Sequence, residues 1–173
     1  MKILLAPPVV KRLRRELRRA GNREIGGLLM GEDLGNGDFR VVEISLQRSG
    51  GTEACFIRNP KDHQTELDTF FARTGNDYSR FNYLGEWHSH PSFSSNPSMP
   101  DLATMLAIVN DSAVGSNFLV LLIARLVGKQ VEATATLFTK TDSPVLLPLE
   151  AEVEPRKGRR SRLSGWIKKI FRA

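Results

Sequence analysis

The sequence predicts an α+β domain built around a curved sheet. Two turn signals, Gly35-Asn36-Gly37-Asp38 and Gly128-Lys129, each separate apolar segments in the manner of antiparallel hairpins. The run from Asn117 to Arg125 is apolar throughout and predicts a central strand. Segments of helical periodicity are interspersed among these runs, the first over Pro7 to Ala20.

In order, Lys2 to Ala6 predicts a short first strand. The helix over 7–20 places Val9 or Val10, Leu13, Leu17 and Ala20 on one face, with a Lys/Arg run over the rest. That run reads as a solvated face, although an acidic partner could meet it. Gly21-Asn22 closes the helix. Glu24 to Gly31 is the second strand and Phe39 to Leu46 the third, with a short strand at Ala54 to Arg58. Asn59-Pro60 starts a helix whose apolar side holds Leu67, Phe70 and Phe71. His63, on that helix, has no second ligand at metal spacing and reads as a surface residue. Val131 to Thr139 alternates as a strand, with Val131, Ala133, Ala135 and Leu137 on one face, and Val145 to Leu149 predicts one last edge strand.

The densest chemistry lies between Gly85 and Asp101, which reads GEWHSHPSFSSNPSMPD. Phe81 to Leu84 leads in as a strand, so His88 and His90, two residues apart, share a face. Pro91 ends the ladder because it has no N–H. A Ser/Asn/Pro loop follows, and Asp101 opens an apolar helix over Leu102 to Val109. Two imidazoles and one carboxylate suit a tetrahedral zinc with one open position, as in catalytic sites. The plainer alternative is a pair of edge histidines, with Ser98 and Asp101 as an ordinary helix cap. Capping and metal binding are compatible. A distant carboxylate, Glu24, heads an apolar strand where its burial is costly unless something positive faces it. Gly26 and Gly27 beside it suggest that another backbone or a ligand approaches closely.

Glu24, then His88-Ser89-His90-Pro91, six residues, Ser98, two residues and Asp101 together resemble the motif of the JAB/MPN (JAMM) zinc metalloproteases. The resemblance spans about residues 1–150 and implies a mixed sheet flanked by helices, of the cytidine deaminase-like kind. It implies zinc on His88, His90 and Asp101, Glu24 as general base, and Ser98 as hydrogen-bond donor to the scissile carbonyl. Cys55 is then not required as a nucleophile. Glu86, on the face of His88, departs from the family's usual bulky apolar residue. It is a rival base, a partner that orients a histidine, or a solvated edge residue.

The compact size resembles stand-alone bacterial members that release ubiquitin-like proteins from conjugates after a C-terminal glycine, including some in anti-phage operons. A maturation protease trimming a ubiquitin-like or sulfur-carrier protein would carry the same site. A non-catalytic MPN scaffold would lack the ligands, which are present here.

One cysteine among 173 residues excludes an internal disulfide framework and fits a reducing compartment. No signal-peptide pattern or membrane-spanning run is found, so a cytoplasmic protein is expected. Composition changes at Glu150, where an acidic link precedes a basic tail. Residues 156–173 hold eight Lys or Arg and no acid, more than the whole chain's +6, so residues 1–155 carry a net −2. Leu163, Trp166, Ile167, Ile170 and Phe171 make an apolar stripe in this tail, the pattern of a basic amphipathic helix. A membrane surface, a partner protein or its own domain could receive it. Nucleic acid is not the expected partner, since charge alone is unspecific.

Overall fold

The computed structural model describes residues 1–48, 59 and 61–153, and within them the predicted α+β architecture is present. In chain order the elements are β1 (Ile3–Leu5), α1 (Pro7–Ala20), β2 (Gly26–Asp33), β3 (Phe39–Ile44), α2 (Lys61–Arg73), β4 (Phe81–Ser89), α3 (Met99–Asn110), β5 (Phe118–Val127), β6 (Gln130–Thr139), β7 (Val145–Leu147) and β8 (Leu149–Ala151). The strands form one mixed sheet in the order β7-β6-β5-β4-β2-β3-β1-β8. β5 lies parallel to β4, and β1 lies parallel to both β3 and β8; the remaining pairs are antiparallel.

The apolar run over 117–125 is the central strand it promised to be. Its alternate residues serve two cores. Val120, Leu122 and Ala124 join Val9, Leu13 and Leu17 of α1, whereas Leu119, Leu121 and Ile123 pack under Met105 and Val109 of α3. A strand covered on both faces has no need of polar alternation, which is why its sequence shows none.

The expected single edge strand over Val145–Leu149 is divided. β7 pairs with β6 at one edge and β8 with β1 at the other, separated only by Pro148. Proline offers no N–H to a ladder, so pairing can pass from one edge of the sheet to the other there. The Pro148 carbonyl still accepts from the Ile3 N–H at 2.9 Å. The two edges are thereby tied together and the sheet curls almost into a barrel. The acidic segment begins inside this edge. Glu150 lies in β8, and Glu152 holds Arg40 at 2.8 Å.

His63 is a correction. It is fully buried, because α2 presents His63 and Phe70, seven residues apart, to the sheet. The ring meets Ser45 Oγ at 2.7 Å and Gln47 Oε1 at 3.3 Å, partners too remote in sequence for helical periodicity to reveal. The expected strand at Ala54–Arg58, Cys55 and the basic tail with its apolar stripe lie outside the described residues.

Two glycines set the faces near the end of β4. Gly85 has φ 141°, and a Cβ there would stand 2.1 Å from the Val120 carbonyl oxygen. The β2–β4 register slips beside it, with Leu29 opposite Gly85 and Met30 opposite Tyr83. This bulge leaves Leu84 and Trp87 both in the α1 core and turns Glu86, His88 and His90 to the other face. Gly27 bears out the expected close approach, since a Cβ would lie 2.4 Å from the Ser45 carbonyl oxygen.

Candidate metal centre

The end of β4 is fixed on both sides. On one side Gly26 stands opposite His88, and the ladder continues as Ser89 N–H donates to the Ile25 carbonyl at 2.8 Å. The Ser89 hydroxyl returns the bond, accepting from Ile25 N–H at 3.0 Å. On the other side His90 N–H donates to the Ala124 carbonyl of β5 at 3.0 Å. Counting one pair further along β2–β4 sets Glu24 opposite His90, on the same face. A glutamate distant in sequence thus comes beside the histidines, from the residues just before β2.

Asp101 arrives from α3. Ser98 caps this helix, with its N–H and its hydroxyl donating to Asp101 Oδ2 at 2.7 and 2.6 Å. Such a cap is worth about 1 kcal/mol. Met105 and Val109, buried on the same helix, contribute about 3–6 kcal/mol together. Packing therefore holds α3 against β5, and the cap chiefly fixes the carboxylate.

Among the described residues, one His/Cys/Asp/Glu cluster has the dimensions of a cation site, formed by His88, His90 and Asp101. The two Nε2 atoms are 3.1 Å apart, His88 Nε2 is 3.3 Å from Asp101 Oδ1, and His90 Nε2 is 3.5 Å from Asp101 Oδ2. Four ligands about 2.0–2.1 Å from zinc stand about 3.3–3.4 Å from each other, so the spacing fits a tetrahedral metal. The donor chemistry fits too. His90 Nδ1 lies 2.9 Å from the Ser94 carbonyl, which can only accept, so Nδ1 carries the proton and Nε2 of the neutral ring offers a lone pair. A neutral His88 protonated on Nδ1 would present a second lone pair, and the two would then point, with Asp101, at one shared cation position.

Glu24 is 4 % exposed, and burial raises its carboxyl above the ordinary range; His88 and His90 counter this in part, and Asp101 adds to it. Burial also opposes charge on Asp101, yet hydrogen bonds from His88, His90 and Ser98 hold that carboxyl far below the usual range. Two carboxyl groups at one site are thus pushed in opposite directions. Glu86 is buried on the same face, opposite Leu28, and is not among the three converging ligands. Phe93 and Met99 stand exposed on the loop and the helix start that flank the cluster.

The loop between β4 and α3 is held by residues outside the motif. Arg125 Nη1 donates to the Phe93 carbonyl at 2.9 Å, Thr134 Oγ1 donates to the Ser95 carbonyl, and Ser95 Oγ donates to Glu132 at 3.3 Å. A signal existed. A two-residue turn at Gly128-Lys129 fixes the register that sets Arg125 opposite Glu132.

Residues 6–139 match the family described as prokaryotic homologs of the JAB domain. A protein of Vibrio cholerae serotype O1 named CD-NTase/cGAS isopeptidase is 32% identical over 126 residues, covering 69% of this chain and 76% of its own. A solution structure from Desulfitobacterium hafniense aligns with TM-score 0.64 at 22% identity, over 89% of this chain and 95% of the other. Another, from Salinibacter ruber, aligns with TM-score 0.51 at 18% identity, over 90% and 94%. At those identities the structural likeness speaks for the fold alone. The family match and the Vibrio cholerae relative go further, and the chain belongs to the prokaryotic homologs of the JAB domain.

Proposed function

We propose that this protein is a zinc-dependent isopeptidase that releases a ubiquitin-like protein from its conjugates by cutting after a C-terminal glycine. The observation that carries the reading is the convergence of His88, His90 and Asp101 at tetrahedral spacing, with the buried Glu24 on the same face. The name of its Vibrio cholerae relative, CD-NTase/cGAS isopeptidase, supports the isopeptidase reading and a CD-NTase-linked conjugate as the natural substrate. A bacterial anti-phage conjugation system in the cytoplasm is the setting we infer from the family resemblance.

His88, His90 and Asp101 would hold the zinc, which when bound supplies Lewis acidity towards water and the carbonyl group. Glu24 takes a proton from the attacking water and passes it to the leaving amine. A carboxyl raised by burial suits both duties, being basic enough to accept and acidic enough to return. Ser98 is assigned the hydrogen bond to the carbonyl oxygen as charge develops. Its hydroxyl now serves Asp101, and a χ1 rotation frees it while the Ser98 N–H keeps Asp101 Oδ2 in place. Glycine on the acyl side lets an extended chain bring its carbonyl past His88 and Ser98.

The test is to offer a ubiquitin-like protein of the same genome, once on a target lysine and once with a short linear extension. Cleavage of the lysine-linked form at a comparable or higher rate supports the reading. Exclusive cutting of the linear extension moves the function to maturation. Zinc-loaded protein that cuts neither points to a scaffold.

A further inference from the structure

We propose that Thr134 and the Arg125–Glu132 pair, on the hairpin of β5 and β6, are positioning residues for His90. They would act by fixing the carbonyl that orients its ring. The inference rests on His88, His90 and Asp101 being a metal site, and its test separates the two ideas.

The loop from Pro91 to Pro97 has no ladder or helix of its own. Three consecutive residues are nonetheless held. The Phe93 carbonyl accepts from Arg125 Nη1 at 2.9 Å, and the Ser95 carbonyl accepts from Thr134 Oγ1. Between them the Ser94 carbonyl accepts from His90 Nδ1 at 2.9 Å. The outer anchors come from the hairpin and the middle bond goes to the imidazole. Glu132 braces both sides, accepting from Arg125 Nε at 2.7 Å and from Ser95 Oγ at 3.3 Å, with Ser95 itself buried.

The ladder register places these side chains in reach of the loop, with Arg125 opposite Glu132 and Ile123 opposite Thr134. The backbone of His90 is already tied to Ala124 on the same strand. One hairpin therefore sets both where His90 begins and which way its ring turns. A displaced Ser94 carbonyl would let the ring rotate and swing Nε2 away from Asp101. Partners of this kind behind a metal-binding histidine typically change affinity 10–100-fold when removed. A purely structural role predicts something different, because a partly exposed ion pair adds little to stability.

The experiment measures zinc and cobalt(II) dissociation constants for the full chain by competition with a chelating dye. The variants are Thr134→Val, Thr134→Ser and Arg125→Ala, each with a thermal melt of the metal-free protein. Thr134→Val and Arg125→Ala are expected to bind zinc 10–100-fold more weakly, with an altered cobalt absorption band and melts close to wild type. Thr134→Ser keeps the hydroxyl and should restore wild-type affinity and spectrum. Wild-type affinity in both Thr134→Val and Arg125→Ala overturns the proposal while leaving the metal site standing. A loss that Thr134→Ser does not repair assigns the effect to packing and also overturns it. Wild-type protein that binds neither metal overturns the metal site, and this proposal with it.

Discussion

The three histidines of this chain occupy two buried settings that look alike by exposure and differ in how their hydrogen bonds close. At His63, Ser45 Oγ accepts from the Leu28 N–H and can donate to Nδ1, while Nε2–H can donate to Gln47 Oε1, which also accepts from the Asn59 N–H. Every group in that chain finds a complementary partner with a neutral ring, and Ser45 and His63 are both fully buried. No substrate could reach this Ser–His pair, so it is mortar between β3 and α2. At His88 and His90 the two Nε2 atoms face each other across 3.1 Å beside a carboxylate, under an exposed Ser98. Here three ligand atoms converge on one point, where a proton on His88 Nε2 or a metal bound by all three can close the bonding. The geometry of the partners therefore distinguishes the two settings, a closed network at His63 and converging ligand atoms at His88 and His90, where burial does not.

The strongest way to break this contrast is to delete one ligand. His90→Ala should lose zinc, since two protein ligands remain where three are needed, and turnover should go with it. Bound zinc by atomic absorption and a thermal melt of the metal-free protein check this. A full zinc complement in the variant would remove His90 from the site. Next in size is Glu24→Gln, expected to keep zinc and to lower kcat by roughly 10²–10⁴-fold, about 2.7–5.5 kcal/mol of barrier. Loss of the metal in this variant would make Glu24 a ligand instead of a proton carrier.

His63→Ala tests the other half of the contrast. It takes the buried acceptor from the Ser45 hydroxyl proton, at a cost of about 1–3 kcal/mol beyond the lost packing, while Gln47 Oε1 keeps the Asn59 N–H. Urea unfolding should show that loss, while zinc content and kcat per folded molecule stay unchanged. A variant of normal stability with depressed kcat would show that this network reaches the site through Gln47, whose N–H donates to the Gly26 carbonyl at 2.7 Å.

The two settings were unequally legible in the sequence, for a physical reason. His88 and His90 lie two apart on one strand and Asp101 opens the next helix, so their convergence follows from local periodicity and a cap. Glu24 needed the long motif, because nothing within its own segment says which strand it will face. His63 was opaque, since its partners Ser45 and Gln47 stand on another element and a polar ring on a helix looks like surface. The division at Pro148 was opaque for the same cause: alternation marks a strand but not the neighbour it pairs with. The Arg125–Glu132 pairing lay between these cases, readable from the turn once the register is counted.

The smallest expected effect sharpens the contrast between two carboxylates. Glu86 and Glu24 are both buried, at 8 % and 4 % exposed, and both stand on the face of the histidines. Their depth along the sheet differs. Glu86 is in the body of β4, flanked by Leu28 on β2 and Leu121 on β5, while Glu24 precedes β2 at the mouth where Asp101 and Ser98 arrive. A proton carrier has to meet both the attacking water and the departing amine, which enter from that mouth. Glu86→Gln preserves volume and removes only the charge. It should change kcat/KM by less than about threefold, near 0.65 kcal/mol, and leave zinc content intact. A fall of a hundredfold or more with zinc retained would transfer the base to Glu86. If Glu24→Gln were then nearly silent, the mouth of the strand would no longer be where the proton is handled.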